Sequence, residues 1–327
     1  MKKKLCITTF VFGNNYQEYI PIFIYSILKS YSDYYPLIFS HSRLIPSIRT
    51  QLELISDLGK FKVVEGFFGE HRIEGQRARA VRWLLDSQEF DQYKAVYNGD
   101  IDMFILPENP SLFEQHWENC ATLRLPYSNI VRESTNKNWN LRNIKTRLIK
   151  SGFRSTFLSL SHPKMVIKKL SGLHFVKTRE YFTRIRPLFS KYKKIILDKN
   201  YQNLILTKHH VDGFTDECLL YDMVLESGLG LPPTAPYEIY KGTFMLDYKN
   251  YKSPWFRPHH GIHLGIFRNK NLTNDLKEAV EVDFYKEYYH KFCQMTENDP
   301  VFQALKEGFS ENIKNIFNRI HQLYIRV

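Results

Sequence analysis

Long apolar runs are missing from this 327-residue sequence. No stretch approaches the ~18 consecutive apolar residues that a membrane-spanning helix needs, so a soluble chain is expected, peripheral to a membrane at most. Cysteine is scarce too: Cys6, Cys120, Cys218 and Cys293 stand far apart, with no C-x-x-C pair. Isolated thiols in mostly apolar surroundings behave as small hydrophobes, which argues against a disulfide scaffold or a zinc cage and fits a reducing, cytoplasmic setting. Blocks of like charge are absent. Lys and Arg are scattered, and no RNP, zinc-finger or helix-turn-helix pattern occurs, so nucleic acid is not an expected partner. The basic start followed by Leu5 to Phe12 resembles a signal peptide only superficially, because the run breaks at Gly13-Asn14-Asn15 without a small-residue cleavage site.

What is abundant is apolar and aromatic: 43% of residues are hydrophobic and 15% aromatic, with 24% charged, enough for a packed core. The formal charge of +12 points to an anionic partner: a nucleotide, a phosphorylated lipid or an acidic membrane leaflet. A merely basic, solvated surface would read the same way.

Along the chain, residues 5–12 read as a buried strand and 19–31 as a helix with apolar residues at helical spacing. Residues 35–40, 61–65 and 93–98 read as further strands, with helices over 47–58 and 76–85 between them. Strands alternating with helices imply an α/β fold: a Rossmann-like, mostly parallel central sheet with helices on both faces. Such sheets bind ligands at the carboxyl ends of their strands. Beyond Glu108 the pattern loosens. A basic loop is expected over 132–155, strands at 157–160 and 173–176, and helices over 178–192 and 216–226. A helical C-terminal extension is expected from Asn274 on, with Ile313, Ile316, Phe317, Ile320 and Leu323 on one stripe. Three segments follow: 1–130 and 131–270 as two halves of one domain, and 271–327 as a helical tail.

The chemistry centres on Tyr97-Asn98-Gly99-Asp100-Ile101-Asp102. Two carboxylates one residue apart at a strand end repel each other and raise each other's pKa, a cost that a bound dication removes. Hard oxygen ligands suit Mn2+ or Mg2+, whose remaining positions substrate phosphates commonly fill. Asp102 would ligate directly, and Asp100 would face the ribose or a metal-bound water. Solvated turn aspartates are the plain alternative. Asp216-Glu217, at a helix start, either stabilise the helix dipole or orient an acceptor hydroxyl and take its proton.

This ordered set resembles the GT-A glycosyltransferases, in particular the family-8-like members of the glycogenin and bacterial galactosyltransferase type. The resemblance runs over about residues 4 to 268. It rests on Tyr93 to Asp102, on the arginine-bearing helix upstream, on Leu170-Ser171-Gly172-Leu173-His174-Phe175-Val176, on Asp212 to Leu220 and on His259-His260-Gly261-Ile262-His263-Leu264-Gly265. It implies a metal held by Asp100, Asp102 and His263, with His260 as the alternate. It also implies donor contacts from Thr8, Thr9, Phe10 and Asn14, and from Arg77 or Arg82 to the diphosphate. The family's K-P-W after the histidine is absent; Ile266-Phe267-Arg268 stands there, and Arg268 takes the phosphate-binding place. The implied activity is transfer from a nucleotide diphosphate sugar, UDP-sugar favoured, to a saccharide or lipid-linked saccharide acceptor of a bacterial surface polysaccharide. A nucleotidyl- or phosphotransferase using the same aspartates, or a non-catalytic basic binding protein, are the rival readings.

Overall fold

The computed structural model describes residues 3–69, 71, 73, 76–135, 166–172, 174–198, 216–234, 260–268 and 283–325. Its strands in chain order are β1 (Lys3–Val11), β2 (Tyr34–Ser40), β3 (Lys62–Val64), β4 (Tyr93–Asn98), β5 (Met103–Ile105), β6 (Tyr127–Ser128), β7 (Val131–Thr135), β8 (Val166–Leu170), β9 (His174–Lys177) and β10 (Gly261–His263). Six of them form one sheet in the order β3-β2-β1-β4-β9-β6. β1, β2, β3 and β4 run parallel, while β9 lies antiparallel to both β4 and β6. The mostly parallel α/β architecture expected from the sequence is the one found.

Buried on both faces, the central strands alternate between two layers. Leu5, Ile7, Ala95 and Tyr97 face the layer of the Ile20–Ser30 helix; Cys6 and Val96 face the layer of Trp83, Tyr181 and Leu220. The Ile20–Ser30 helix has Pro21 in its first turn, where the missing N–H costs nothing, and is buried from Ile20 to Leu28. An all-round apolar helix must be covered twice. The C-terminal helices Asp283–Glu297, Pro300–Glu307 and Glu311–Ile325 supply the second cover, and the stripe Ile313, Ile316, Phe317, Ile320 and Leu323 is buried as expected. Phe104, fully buried, meets Phe292 edge-on with ring centroids 4.9 Å apart, so the start of β5 and the tail share one aromatic cluster.

Several expected elements change at identifiable residues. The helix expected over 76–85 is an α-helical turn, Gln76–Ala80, continued by a 3-10 turn, Val81–Leu84, which carries Arg82. The helix expected over 178–192 is interrupted at Pro187, where a 3-10 turn, Arg186–Leu188, separates Thr178–Ile185 from Phe189–Leu197. Residues 132–135, expected to open a loop, belong to β7 and pair with β8. The strand expected at 157–160, the rest of the basic loop, Asp212 to Thr215 and His259 lie outside the described residues. Among the described residues, no helix is long and apolar enough to cross a membrane.

Candidate functional site

The strand order puts a switch point between β1 and β4: the chain winds outward from β1 to β3, then returns to β1's other side. The crevice there opens at the carboxyl ends of the strands, the ligand position of open α/β sheets. Thr8 pairs with Asn98 across this seam, and the Gly99 N–H continues it by donating to the Thr8 carbonyl at 3.1 Å. The chain then turns through Asp100 to Asp102 and starts β5 at once.

The β5–β10 pairing assembles the rest. In this antiparallel ladder His263 lies opposite Met103, and the Leu264 N–H donates to the Asp102 carbonyl at 2.8 Å. His263 thereby meets its target across a long sequence separation: its Nε2 is 3.2 Å from Asp102 Oδ1. Close approach of β10 requires glycine at 261, whose φ is 143° and where a Cβ would stand 1.8 Å from the Phe104 carbonyl oxygen. The 3-10 turn Leu264–Arg268 then brings Arg268 Nη2 to 3.3 Å from Asp102 Oδ2. Arg268 is held in place by the hydroxyls of Tyr19 and Tyr16, which accept at 2.8 and 3.0 Å, while its guanidinium lies over both rings.

Burial by itself would push the Asp102 carboxyl up, but the His263 hydrogen bond and the charges of His263 and Arg268 outweigh it and hold the carboxyl below its ordinary range. Burial would likewise lower His263, yet its hydrogen bond and Coulombic attraction to Asp102 raise it. Gly265 forms the floor under this pair. A Cβ there would sit 2.1 Å from Asp102 Oδ2 and 3.2 Å from His263 Nε2. Gly265→Ala is expected to displace the Asp102 carboxylate and to weaken any Mn2+ binding at the pair by about 10- to 100-fold, checked by Mn2+ titration.

Beside it lies a second charged cluster built on Arg82. The guanidinium donates to Asp100 Oδ1 at 2.5 Å and pairs with Asp216, and it lies 4.4 Å from the Trp83 ring centroid. Burial opposes its charge; Asp216, Asp100 and Glu217 together more than compensate and raise its pKa. Glu217, next to Asp216 in the first turn of the Asp216–Glu226 helix, pairs with Arg132 of β7, accepts from Lys169 Nζ of β8 at 2.9 Å and accepts from the Gly172 N–H at 3.1 Å. Arg132 and Lys169 are direct cross-strand partners, a like-charge pairing that would destabilise the hairpin if Glu217 did not lie between them. Burial pushes Glu217 up, but Arg132, Lys169 and Arg82 hold its carboxyl below the ordinary range.

The same cluster depresses a neighbour. His174, fully enclosed in β9, is lowered to about 3 by burial and by the charge of Arg82, and its Nδ1 accepts from Asn129 Nδ2 at 2.9 Å. A His titrating near 6.5 when unfolded and near 3 when folded leaves stability intact above pH 6.5. That stability is lost progressively as the pH falls toward 3, because only the unfolded chain takes up the proton. In His174→Gln the corresponding slope should vanish, and the difference between the two proteins' stability-against-pH curves, by denaturant unfolding, should reach about 5 kcal/mol at most.

The expected residues are thus only partly gathered. Asp100, Asp102, His263, Arg268, Arg82, Asp216 and Glu217 share the crevice region. Thr8 and Thr9 are buried in the sheet, with the Thr8 hydroxyl donating to the Leu37 carbonyl at 2.8 Å. Phe10 is half-buried at the end of β1, edge-on to His41 and Phe67, and Asn14 is exposed just beyond it. Arg77 is turned elsewhere and donates to the Asp198 backbone carbonyl at 3.4 Å. The alternate ligand His260 lies away from Asp102. It is fully buried, one ring nitrogen 2.7 Å from Glu108 Oε2 and the other 2.8 Å from His116 Nε2, in an interior polar network that also takes in Tyr288. Residues missed from sequence are Tyr16, Tyr19, Arg132, Lys169 and Gly265. The signal available for Tyr16 and Tyr19 was their three-residue spacing directly after the Gly13-Asn14-Asn15 break.

As a metal site the donor set fits Mn2+ or Mg2+ in kind, with two carboxylates and an imidazole. Asp102 and His263 are already together. Asp100 is not drawn in as far: the ligand atoms of the three residues do not all lie within 4.8 Å of one another, because Arg82 holds Asp100 Oδ1.

No family model matches the sequence, and no curated protein does. Among solved structures, the chain is similar to the glycosyltransferase GlyE of Streptococcus pneumoniae TIGR4, with 12% identity and a TM-score of 0.43 over 95% of this chain and 64% of that one. It is similar to the bifunctional glycosyltransferase WbbM, with 13% identity and a TM-score of 0.41 over 94% of this chain and 52% of that one. A third likeness is to core-mannan synthase A of Aspergillus fumigatus in its Mn/GDP form, with 9% identity and a TM-score of 0.36 over 68% of this chain and 69% of that one. The chain therefore spans less than two thirds of the first two proteins, and the activity each name states is that protein's own.

Proposed function

We propose that the chain is a GT-A glycosyltransferase that moves a sugar from a nucleotide diphosphate sugar, UDP-sugar favoured, to a hydroxyl of a saccharide or lipid-linked saccharide. The observation that carries this reading is the placement of Asp102, His263 and Arg268 in contact at the β1–β4 switch point. Asp102 and His263 would hold the divalent ion, with Asp100 completing the set through its second oxygen. When bound, the ion supplies Lewis-acid neutralisation of charge on the leaving diphosphate. Arg268 is committed through three of its five N–H donors, to Tyr16, Tyr19 and Asp102, and the remaining two can meet phosphate oxygens without the side chain having to be ordered afresh. The exposed Asn14 and the half-buried Phe10 border the crevice on the nucleoside side.

Of the two acids on the Asp216–Glu226 helix, Glu217 is occupied by Arg132, Lys169 and the Gly172 N–H, and its depressed pKa makes it a weak base. Asp216 is therefore the acid assigned to the sugar or acceptor hydroxyl, and Arg82 positions it. An acceptor carried on lipid, as in surface polysaccharide assembly, suits the +12 charge, which favours peripheral contact with an anionic cytoplasmic leaflet.

The test is thermal unfolding with UDP-, GDP-, CMP- and dTDP-sugars, each with and without Mn2+. One nucleotide should raise the midpoint by several degrees only when Mn2+ is present, as a ligand well above its Kd does. Absence of metal-dependent stabilisation by any of them overturns the reading.

A further inference from the structure

The C-terminal helices carry a second convergence of metal-ligating side chains, away from the crevice and unused by the proposed reaction. Cys293 and Glu297 lie four residues apart on the Asp283–Glu297 helix and so share one face. That face packs on the Glu311–Ile325 helix, with Tyr289 stacked on Tyr324 at 4.2 Å between centroids and Phe292 on Phe317 at 5.5 Å. The packing aims His321 at the pair. Its Nδ1 lies 4.0 Å from Cys293 Sγ and 3.6 Å from Glu297 Oε1, and the three ligand atoms all fall within 4.8 Å of one another.

We propose that Cys293, Glu297 and His321 form a zinc site that clips the last helix of the chain to the Asp283–Glu297 helix. A tetrahedral ion with bonds of ~2.0 Å to nitrogen and oxygen and ~2.3 Å to sulfur sets ligand–ligand separations of about 3.3 to 3.5 Å. The observed 3.6 and 4.0 Å need only small side-chain adjustments to reach that range. Cys293 and His321 are half-buried and Glu297 is exposed, which gives the ion an entry path and leaves the fourth position to water. The Tyr289 hydroxyl, 3.1 Å from His321 Nδ1, is placed to hydrogen-bond a ligand once the ion is in. A thiolate with an imidazole and one carboxylate selects Zn2+ over Mg2+ and Mn2+, the ions suited to the oxygen-rich crevice. On ligation the thiol releases its proton to solvent and the sulfur lone pair goes to the ion, with no change of oxidation state. The clip bears on the crevice through the same helix, since Arg319 donates to the carbonyls of Phe267 and Arg268 at 2.7 and 2.8 Å.

The test is titration of the full, reduced, metal-stripped chain with Co2+, followed by absorbance. A thiolate-to-cobalt charge-transfer band should appear, saturate at one equivalent and bleach when Zn2+ is added. The band reports sulfur ligation alone, so binding at the crevice does not contribute, and Cys6, Cys120 and Cys218 are buried. Cys293→Ser should abolish it, His321→Ala should weaken Co2+ binding about tenfold or more, and Asp102→Asn should leave it unchanged. No thiolate band in the wild-type chain overturns the site, as does a band that survives in Cys293→Ser. The wild-type titration decides even if a variant fails to fold.

Discussion

Asp102→Asn is expected to lower metal-dependent turnover of the nucleotide sugar by about 1,000-fold or more while the far-UV circular dichroism stays that of the wild type. The substitution keeps the shape of the side chain and removes its charge. What it takes away is the carboxylate oxygen closest to His263 and the anion that Arg268 faces. The loss should therefore fall on donor binding and on turnover together, and excess Mn2+ should recover little of it. A fall of only a few-fold, with Mn2+ dependence intact, would show that Asp102 is a solvated turn residue and would remove the metal from the mechanism. His263→Ala is the matched control, expected to weaken Mn2+ binding without removing the charge of Asp102.

The second large effect is on stability. Arg82→Met should cost about 3 kcal/mol in denaturant unfolding, because it leaves the buried carboxylate of Asp216 and the half-buried one of Asp100 without their cation. The same cost should not arise when the whole cluster is made neutral. Arg82→Met combined with Asp100→Asn and Asp216→Asn is expected to recover most of the lost stability, since the penalty lies in the orphaned charge rather than in lost packing. The triple variant should stay inactive. If the single substitution costs less than about 1 kcal/mol, the carboxylates are reached by water and the cluster is a surface feature.

Much of this molecule was legible in its residues. The run Leu5 to Phe12 and the segments 35–40 and 93–98 are apolar enough to demand burial on both faces, which only a central parallel strand provides. The Asp-x-Asp after the last of them stands at a strand's carboxyl end, where open α/β sheets bind their ligands. The stripe Ile313, Ile316, Phe317, Ile320 and Leu323 announced its helix by period alone, and all five are buried. Less legible were the short pairings. β5, β6 and β10 are two or three residues long, too short for any period to show. His263 reads as the ligand and His260 as its alternate, and nothing periodic in their local sequence says which of the two faces the crevice.

What the sequence determined by itself was the local and the periodic: which of the longer segments are strands and helices, which faces they bury, and that two carboxylates stand together at one strand end. Only the tertiary structure decided the partners. The register of β10 on β5 turns His263 toward Asp102 and sends His260 into the interior with Glu108 and His116. The 3-10 turn at Val81–Leu84 gives Arg82 to Asp100 and Asp216, while Arg77 on the preceding turn points to Asp198. The packing of two tail helices gathers Cys293, Glu297 and His321 from a sequence in which no cysteine pair hinted at a metal. The physical reason is common to all three: hydrophobic period depends on near neighbours, whereas a charge finds its counter-charge through space, at distances that chain separation does not encode.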